Sequence, residues 1–180
     1  MFKSNFIKLF IIPIALLHSS ANADETVNDF YVKKGVTLLS GDTWRQDEVK
    51  YQLYGVQSCL RGTSFINAAN QQLDCGEASM KILASFFKDV PTICRPILSS
   101  DTTTYVNCKI KVDKEIVDLG TALISIGFHF AARDFKQNTP LNITYQAAEK
   151  NAFKTSSGLW NYNSFPHPVE ILKTQGNHNE

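Results

Sequence analysis

The stretch Val36-Thr37-Leu38-Leu39-Ser40-Gly41-Asp42-Thr43-Trp44-Arg45-Gln46-Asp47-Glu48-Val49-Lys50-Tyr51-Gln52-Leu53-Tyr54-Gly55-Val56 decides the fold class. Val36 to Leu39 has strand composition and runs into Ser40-Gly41-Asp42, a turn signal. Thr43-Trp44-Arg45 resumes as strand, Gln46-Asp47-Glu48 is a polar turn, and Tyr51 to Val56 alternates again. A β-meander of three short strands is expected.

Downstream the period changes. Asp74 can cap a helix, with Glu77 three residues later, and Met80, Leu83 and Phe87 then recur on one helical face until Pro91 forbids continuation. Two more strands follow, around Thr92-Ile93-Cys94-Arg95 and from Tyr105 to Val112, joined by the Thr-rich segment Ser99 to Thr104. Asp118 caps a second helix with Leu119, Leu123 and Ile126 as its stripe, and Gly127 stands where a left-handed glycine would end it. Phe128-His129-Phe130 suits a short extended segment. Thr139-Pro140 offers a cap followed by proline at the first helical position, opening a third helix that ends near Gly158. Five strands with a helix inserted after the third match a partly open OB-type Greek-key barrel with added helices. The expected class is α+β: a five-stranded OB-type barrel with three helices, spanning residues 24–174, with a polar tail at 175–180.

The first 23 residues read as a targeting segment. Lys3 and Lys8 form a basic region, Leu9 to Leu17 an apolar one broken by Pro13, and Ala21-Asn22-Ala23 a cleavage site. The apolar run is too short to span a bilayer. Cleavage after Ala23 would place the protein in the periplasm or outside the cell. The 18 Lys and Arg residues against 17 Asp and Glu give a net charge of +1 over 180 residues, and losing Lys3 and Lys8 makes the remainder slightly acidic. Disorder is excluded by the 43% hydrophobic content. An oxidising compartment suits the even set Cys59, Cys75, Cys94 and Cys108, which carries no C-x-x-C and no zinc spacing. Three pairings are open; closing short loops between neighbouring elements favours Cys59–Cys75 with Cys94–Cys108.

Several short pieces carry a family resemblance. They are Gly41-Asp42-Thr43, Leu53-Tyr54-Gly55-Val56, Cys75-Gly76-Glu77-Ala78, Val117-Asp118-Leu119-Gly120 followed by Gly127, and Gly158-Leu159-Trp160. In this order and spacing, from about Val36 to Trp160, the chain resembles the staphylococcal nuclease-like (thermonuclease) family in its exported Gram-negative form. The resemblance implies calcium-assisted phosphodiester hydrolysis in DNA and RNA. That chemistry needs carboxylate oxygens for a hard cation, a carboxylate base, and two guanidinium groups for the phosphate.

Most of that set is absent. The family's metal-binding aspartate falls on Asp42, but the first arginine falls on Gln52, and the segment supplying a second metal carboxylate and the glutamate base falls on Gln57-Ser58-Cys59-Leu60. The second arginine has no counterpart in Ser99 to Val106. Gln52 supplies no positive charge, Leu60 moves no proton, and Gln57 halves the carboxylate charge beside Asp42. Losing one electrostatic stabiliser alone costs on the order of 10² to 10³ in rate. The expected function is therefore that of a catalytically inactive nuclease homologue, without cofactor, binding or scaffolding a protein or an envelope polymer. The alternative is a divergent calcium-dependent secreted nuclease, in which Lys50, Arg61, Asp47 or Glu48 rebuild the site.

Other residues carry weaker signals. Asp42 in its turn suits backbone hydrogen bonding better than metal ligation. His129 reads as a structural histidine, and His167 and His178 lack metal-ligand spacing. Asn142-Ile143-Thr144 fits a glycosylation sequon. Tyr51, Tyr54, Phe86, Phe87 and Trp160 read as core. The scattered Lys and Arg residues weaken nucleic-acid binding, which rests on phosphate neutralisation.

Overall fold

The computed structural model describes residues 28–134, 136–137, 139–162, 165 and 167–176. The expected signal peptide at 1–23 with its cleavage site, His178 and the end of the polar tail lie outside the described residues.

The chain is mixed α and β. Its strands are β1 (Phe30–Tyr31), β2 (Thr37–Leu38), β3 (Thr43–Gln46), β4 (Val49–Leu53), β5 (Val56–Ser58), β6 (Ser64–Ile66) and β7 (Gln72–Asp74). Helix α1 (Cys75–Asp89) follows, then β8 (Thr92–Ser99), β9 (Thr104–Val112) and β10 (Glu115–Asp118). Next come α2 (Leu119–Ile126), β11 (His129–Ala131), β12 (Arg133–Asp134), β13 (Thr139–Pro140), α3 (Ile143–Lys154), a 3₁₀ turn at Gly158–Asn161, and α4 (Pro168–Gly176).

The main sheet runs β1-β8-β9-β4-β3-β2, with β10 also on β9. The β4–β9 pair is parallel, matching Gln52 to Tyr105; the other pairs are antiparallel. Six strands laid flat at about 4.8 Å would set β1 and β2 about 24 Å apart. The six-residue step from Tyr31 to Thr37 reaches only about 20 Å fully extended, and Gly35 bends it further with φ +80°. The sheet must therefore curl, and it forms a half-barrel.

The β3–β4 turn explains the register. Gln46 pairs with Val49, so Asp47 and Glu48 are a two-residue loop, and both have positive φ (50° and 64°). That is the turn whose twist matches a hairpin. In α1, the Asp74 carboxylate accepts from the Glu77 N–H at 2.8 Å, but the capping box is only half formed because Glu77 turns to Arg61 at 3.1 Å. The buried face is Cys75, Gly76, Ser79, Leu83 and Phe87, with Met80 only half-buried. Asp118 caps α2 through the Thr121 N–H at 2.7 Å, and Gly127 ends it at φ 85°.

The helix count departs from expectation, four rather than three among the described residues. The third helix does not open at Thr139-Pro140. Those residues pair with Arg133 and Asp134, and Leu141 N–H donates to the Ala132 carbonyl at 3.0 Å. Asn142 caps instead, its side-chain oxygen accepting from Thr144 and Tyr145 N–H. Helix α3 stops at Lys154, and a separate helix, α4, runs through Gly176. Its first turn is held by the ring nitrogen of His167, which accepts from Val169 N–H at 3.3 Å.

Two apolar clusters fill the interior. Trp44, Leu53, Leu83, Val106, Ile110, Leu119 and Leu123 lie in the one enclosed by the sheet, α1 and α2. Phe65, Phe130 and Leu159 centre the other, with Trp160, Tyr162 and Phe165 packed against them. Each cluster holds one disulfide: Cys94–Cys108 in the first and Cys59–Cys75 in the second. Two disulfides favour a non-cytoplasmic location. Among the described residues no helix is long and apolar enough to cross a membrane.

Candidate functional site

The Ser40-Gly41-Asp42-Thr43 turn sits between β2 and β3 and is buried against β5 and β11. Asp42 is 3% exposed. Its Oδ1 accepts from the hydroxyls of Ser40 and of Thr43 (2.9 Å), and its Oδ2 from Ser58 N–H at 3.0 Å. A charged acceptor in that setting is held by strong hydrogen bonds. Below the turn, a Cβ on Gly41 would come within 2.6 Å of Ser79 Oγ and 2.8 Å of Ser58 Cβ. Only glycine fits so close an approach.

His129 completes this buried knot. It pairs with Ser58 across β11–β5, and its Nε2–H donates to the Gly41 carbonyl at 2.8 Å. The partner is a carbonyl, so Nε2 carries a hydrogen. Complete burial drives its pKa from 6.5 down to about 4, against a smaller upward pull from the Gly41 bond and Asp42. Its Nδ1 has no partner among the described residues.

Beside the knot lies an open groove of about 360 Å³, which takes in two of the positions that the resemblance matches to charged residues. Gln52 and Gln57 stand on its wall with Tyr54, Tyr105, Leu98, Leu141 and Arg133. Gln57 Nε2 donates to the Ser58 carbonyl at 2.9 Å. The rings of Tyr54 and Tyr105 meet edge to face at 6.4 Å. Tyr54, expected in the core, is thus a groove residue. No carboxylate lines the groove among the described residues, and Arg133 forms no ion pair there.

The residues that the alternative reading needs to rebuild a nuclease site are not brought together. Leu60 is half-buried, and its carbonyl accepts from the Thr63 hydroxyl at 2.6 Å. Arg61 lies along the start of α1, its Nε 3.1 Å from Glu77 and one terminal nitrogen 3.1 Å from the Met80 sulfur. Lys50 pairs with Arg45 across the hairpin and does not line the groove. Asp47 and Glu48 form the hairpin tip, where Asp47 holds Lys33 at 2.6 Å. The Ser99 to Thr104 connection closes tightly, Ser99 pairing with Thr104 and Ser100 N–H donating to the Thr103 carbonyl at 2.9 Å.

The remaining motif residues are structural. Asp118 also accepts from the Tyr145 hydroxyl at 3.2 Å, and burial with that carboxylate pushes the phenol pKa up. Gly120 lies beneath the ring, where a Cβ would sit 2.4 Å from the Tyr145 hydroxyl oxygen. Gly127 and Gly158 meet: Leu159 N–H donates to the Gly127 carbonyl at 3.0 Å, and a Cβ on Gly127 would lie 2.1 Å from the Ser157 carbonyl oxygen. Asn142 spends its carbonyl oxygen capping α3. These positions speak to packing rather than to chemistry.

Sequence reasoning missed Arg133, Tyr105 and a second polar pair. Glu149 accepts from Ala131 N–H at 2.8 Å and meets His167 Nε2 at 3.0 Å, over the rings of Phe130 and Trp160. Nothing local marks Arg133 or Glu149, because each is placed by a contact between distant segments: Arg133 follows Ala132, whose N–H donates to the Gly55 carbonyl at 2.9 Å, and Glu149 is set by the Ala131 N–H. No protein-family model matches the chain, and no curated protein is significantly similar to it.

Proposed function

We propose that the chain is an exported nuclease-like domain of the OB type in which the phosphodiester-cutting pocket has become an amphipathic binding groove. The strand order, the parallel β4–β9 pair and the helix between β7 and β8 support the OB reading. The single observation that carries loss of catalysis is the state of Asp42. Calcium takes six to eight oxygen ligands, several of them carboxylate. Here the one matching carboxylate is 3% exposed and engaged by three donors. Gln57 points its amide donor at a neighbouring carbonyl. The residues present do not fit a calcium ion.

The groove offers tyrosine edges, leucine walls, two amides and one unpaired guanidinium. Aromatic and arginine side chains with an apolar surround are the usual makings of a protein contact. The partner is a protein, or an envelope polymer met in the same compartment.

The test is incubation of the purified protein with DNA and with RNA, in calcium and in chelator. The expected outcome is no cleavage above the buffer control in either condition. Cleavage that appears with calcium and vanishes with chelator would establish the nuclease alternative instead.

A further inference from the structure

An apolar cleft of about 600 Å³ lies apart from the groove and shares no residue with it. Val36, Leu38, Ala84 and Phe87 line it, between the C-terminal half of α1 and the segment entering β2. Pockets of a few hundred to about 1,000 Å³, mostly apolar with a few polar groups at defined places, are where small ligands bind.

The cleft is held open by construction. Gln46, buried beneath the 31–35 loop, accepts from Lys33 N–H at 2.8 Å and donates to the Tyr31 carbonyl at 3.2 Å. Val32 N–H ties the same loop to the Thr92 carbonyl at 2.9 Å. The wall is therefore fixed to β3 and β8 rather than free to collapse onto α1. Small residues leave the space: Ala84 on the helix, and Gly35, whose missing Cβ would have nothing within 4 Å.

Charge at the cleft is asymmetric. Lys34 and Lys88 are exposed on its wall with no ion pair among the described residues, whereas neighbouring Lys33 is held by Asp47. Lys34 also borders two smaller depressions that meet the cleft. Asp89 is the one acid on the wall, leaving a net positive mouth. Lysine stems lie along apolar surface while their ammonium heads face water.

We propose that this cleft binds a monomeric single-chain anionic amphiphile, its alkyl chain against Val36, Leu38, Ala84 and Phe87 and its carboxylate at Lys34 and Lys88. The probe is dodecanoate below its micelle concentration, followed by calorimetric titration and by methyl NMR of Val36, Leu38 and Ala84. Affinity rises about fourfold per methylene from octanoate to dodecanoate, the value of one buried CH₂. Dodecyltrimethylammonium binds more weakly than dodecanoate. The double variant Lys34→Glu, Lys88→Glu, altering exposed residues only, weakens dodecanoate about tenfold, and Asp89→Asn tightens it a few-fold. Ala84→Phe blocks the cleft, with its melting temperature as the folding control. Unmoved Val36, Leu38 and Ala84 methyls, equal affinity for the cationic amphiphile, or binding to anionic lipid vesicles without binding to the monomer would each overturn the proposal.

Discussion

A fully buried imidazole beside a buried carboxylate looks like a catalytic pair, yet burial and bonding give both side chains structural work. His129 uses its one N–H on the Gly41 carbonyl, and Asp42 gathers two hydroxyls and a backbone N–H. Together they pin the β2–β3 turn to β5 and β11. The pH dependence follows. With its pKa near 4 in the fold against 6.5 ordinarily, His129 refuses a proton that the unfolded chain accepts. Its contribution is complete above about pH 6.5 and is lost as pH falls toward 4, by on the order of 3 kcal/mol. Urea unfolding at pH 7 and at pH 5 should therefore show a marked drop in stability. In His129→Gln, which retains a donor for Gly41, the drop between these two pH values should shrink; an unchanged drop would assign it to other groups.

Elements are governed by turns and caps, and here the β3–β4 hairpin is the informative case. Two consecutive non-glycine residues, Asp47 and Glu48, hold left-handed φ values, at a cost of about 1 kcal/mol each. Asp47 is offset by its ion pair with Lys33, whereas the Glu48 side chain has no ion pair among the described residues, and its backbone carbonyl accepts from Arg45 at 3.2 Å. Glu48→Gly should stabilise the protein by about 1 kcal/mol and raise the melting temperature by about 2–4 °C. A decrease on calorimetry would contradict the turn geometry. Gly127 and Gly158 are the opposite case, since a Cβ on Gly127 would strike the Ser157 carbonyl and one on Gly158 the backbone of Ile126 and Gly127.

At the scale of the molecule, stability is divided between two clusters with a disulfide in each. Cys94 and Cys108 are direct partners across β8–β9, whose pairing continues on both sides. Cys59 and Cys75 instead close the excursion carrying β6 and β7, whose hydrogen-bonded pairing is only three residues long. Each bridge closes a loop of similar span, 16 and 14 residues, so either loss should cost about 3 kcal/mol. The two losses should differ in kind. Replacing Cys59 and Cys75 by alanine should speed hydrogen exchange locally over residues 58–75. Replacing Cys94 and Cys108 should lower global stability with little local change. Identical exchange patterns in the two variants would argue against two separable clusters.

The sequence by itself determined what short-range chemistry can encode. Asp74, Asp118 and Gly127 mark helix ends because a cap bonds within three or four residues of itself, and Ser40-Gly41-Asp42 and Asp47-Glu48 mark turns for the same reason. That Gln52, Gln57 and Leu60 carry neither charge nor a titratable proton is likewise fixed by side-chain identity alone. Thr139-Pro140 had an equally good local signal and failed, because pairing with Arg133-Asp134 left Asn142 to cap the helix. Only the tertiary structure decided that one segment serves both ends of a curled sheet, that His129 reaches Gly41, and that Arg133 joins Gln52 and Gln57 in one groove. Those contacts join residues far apart in the chain; their partners are chosen by closure of the fold, and no local pattern of residues records that choice.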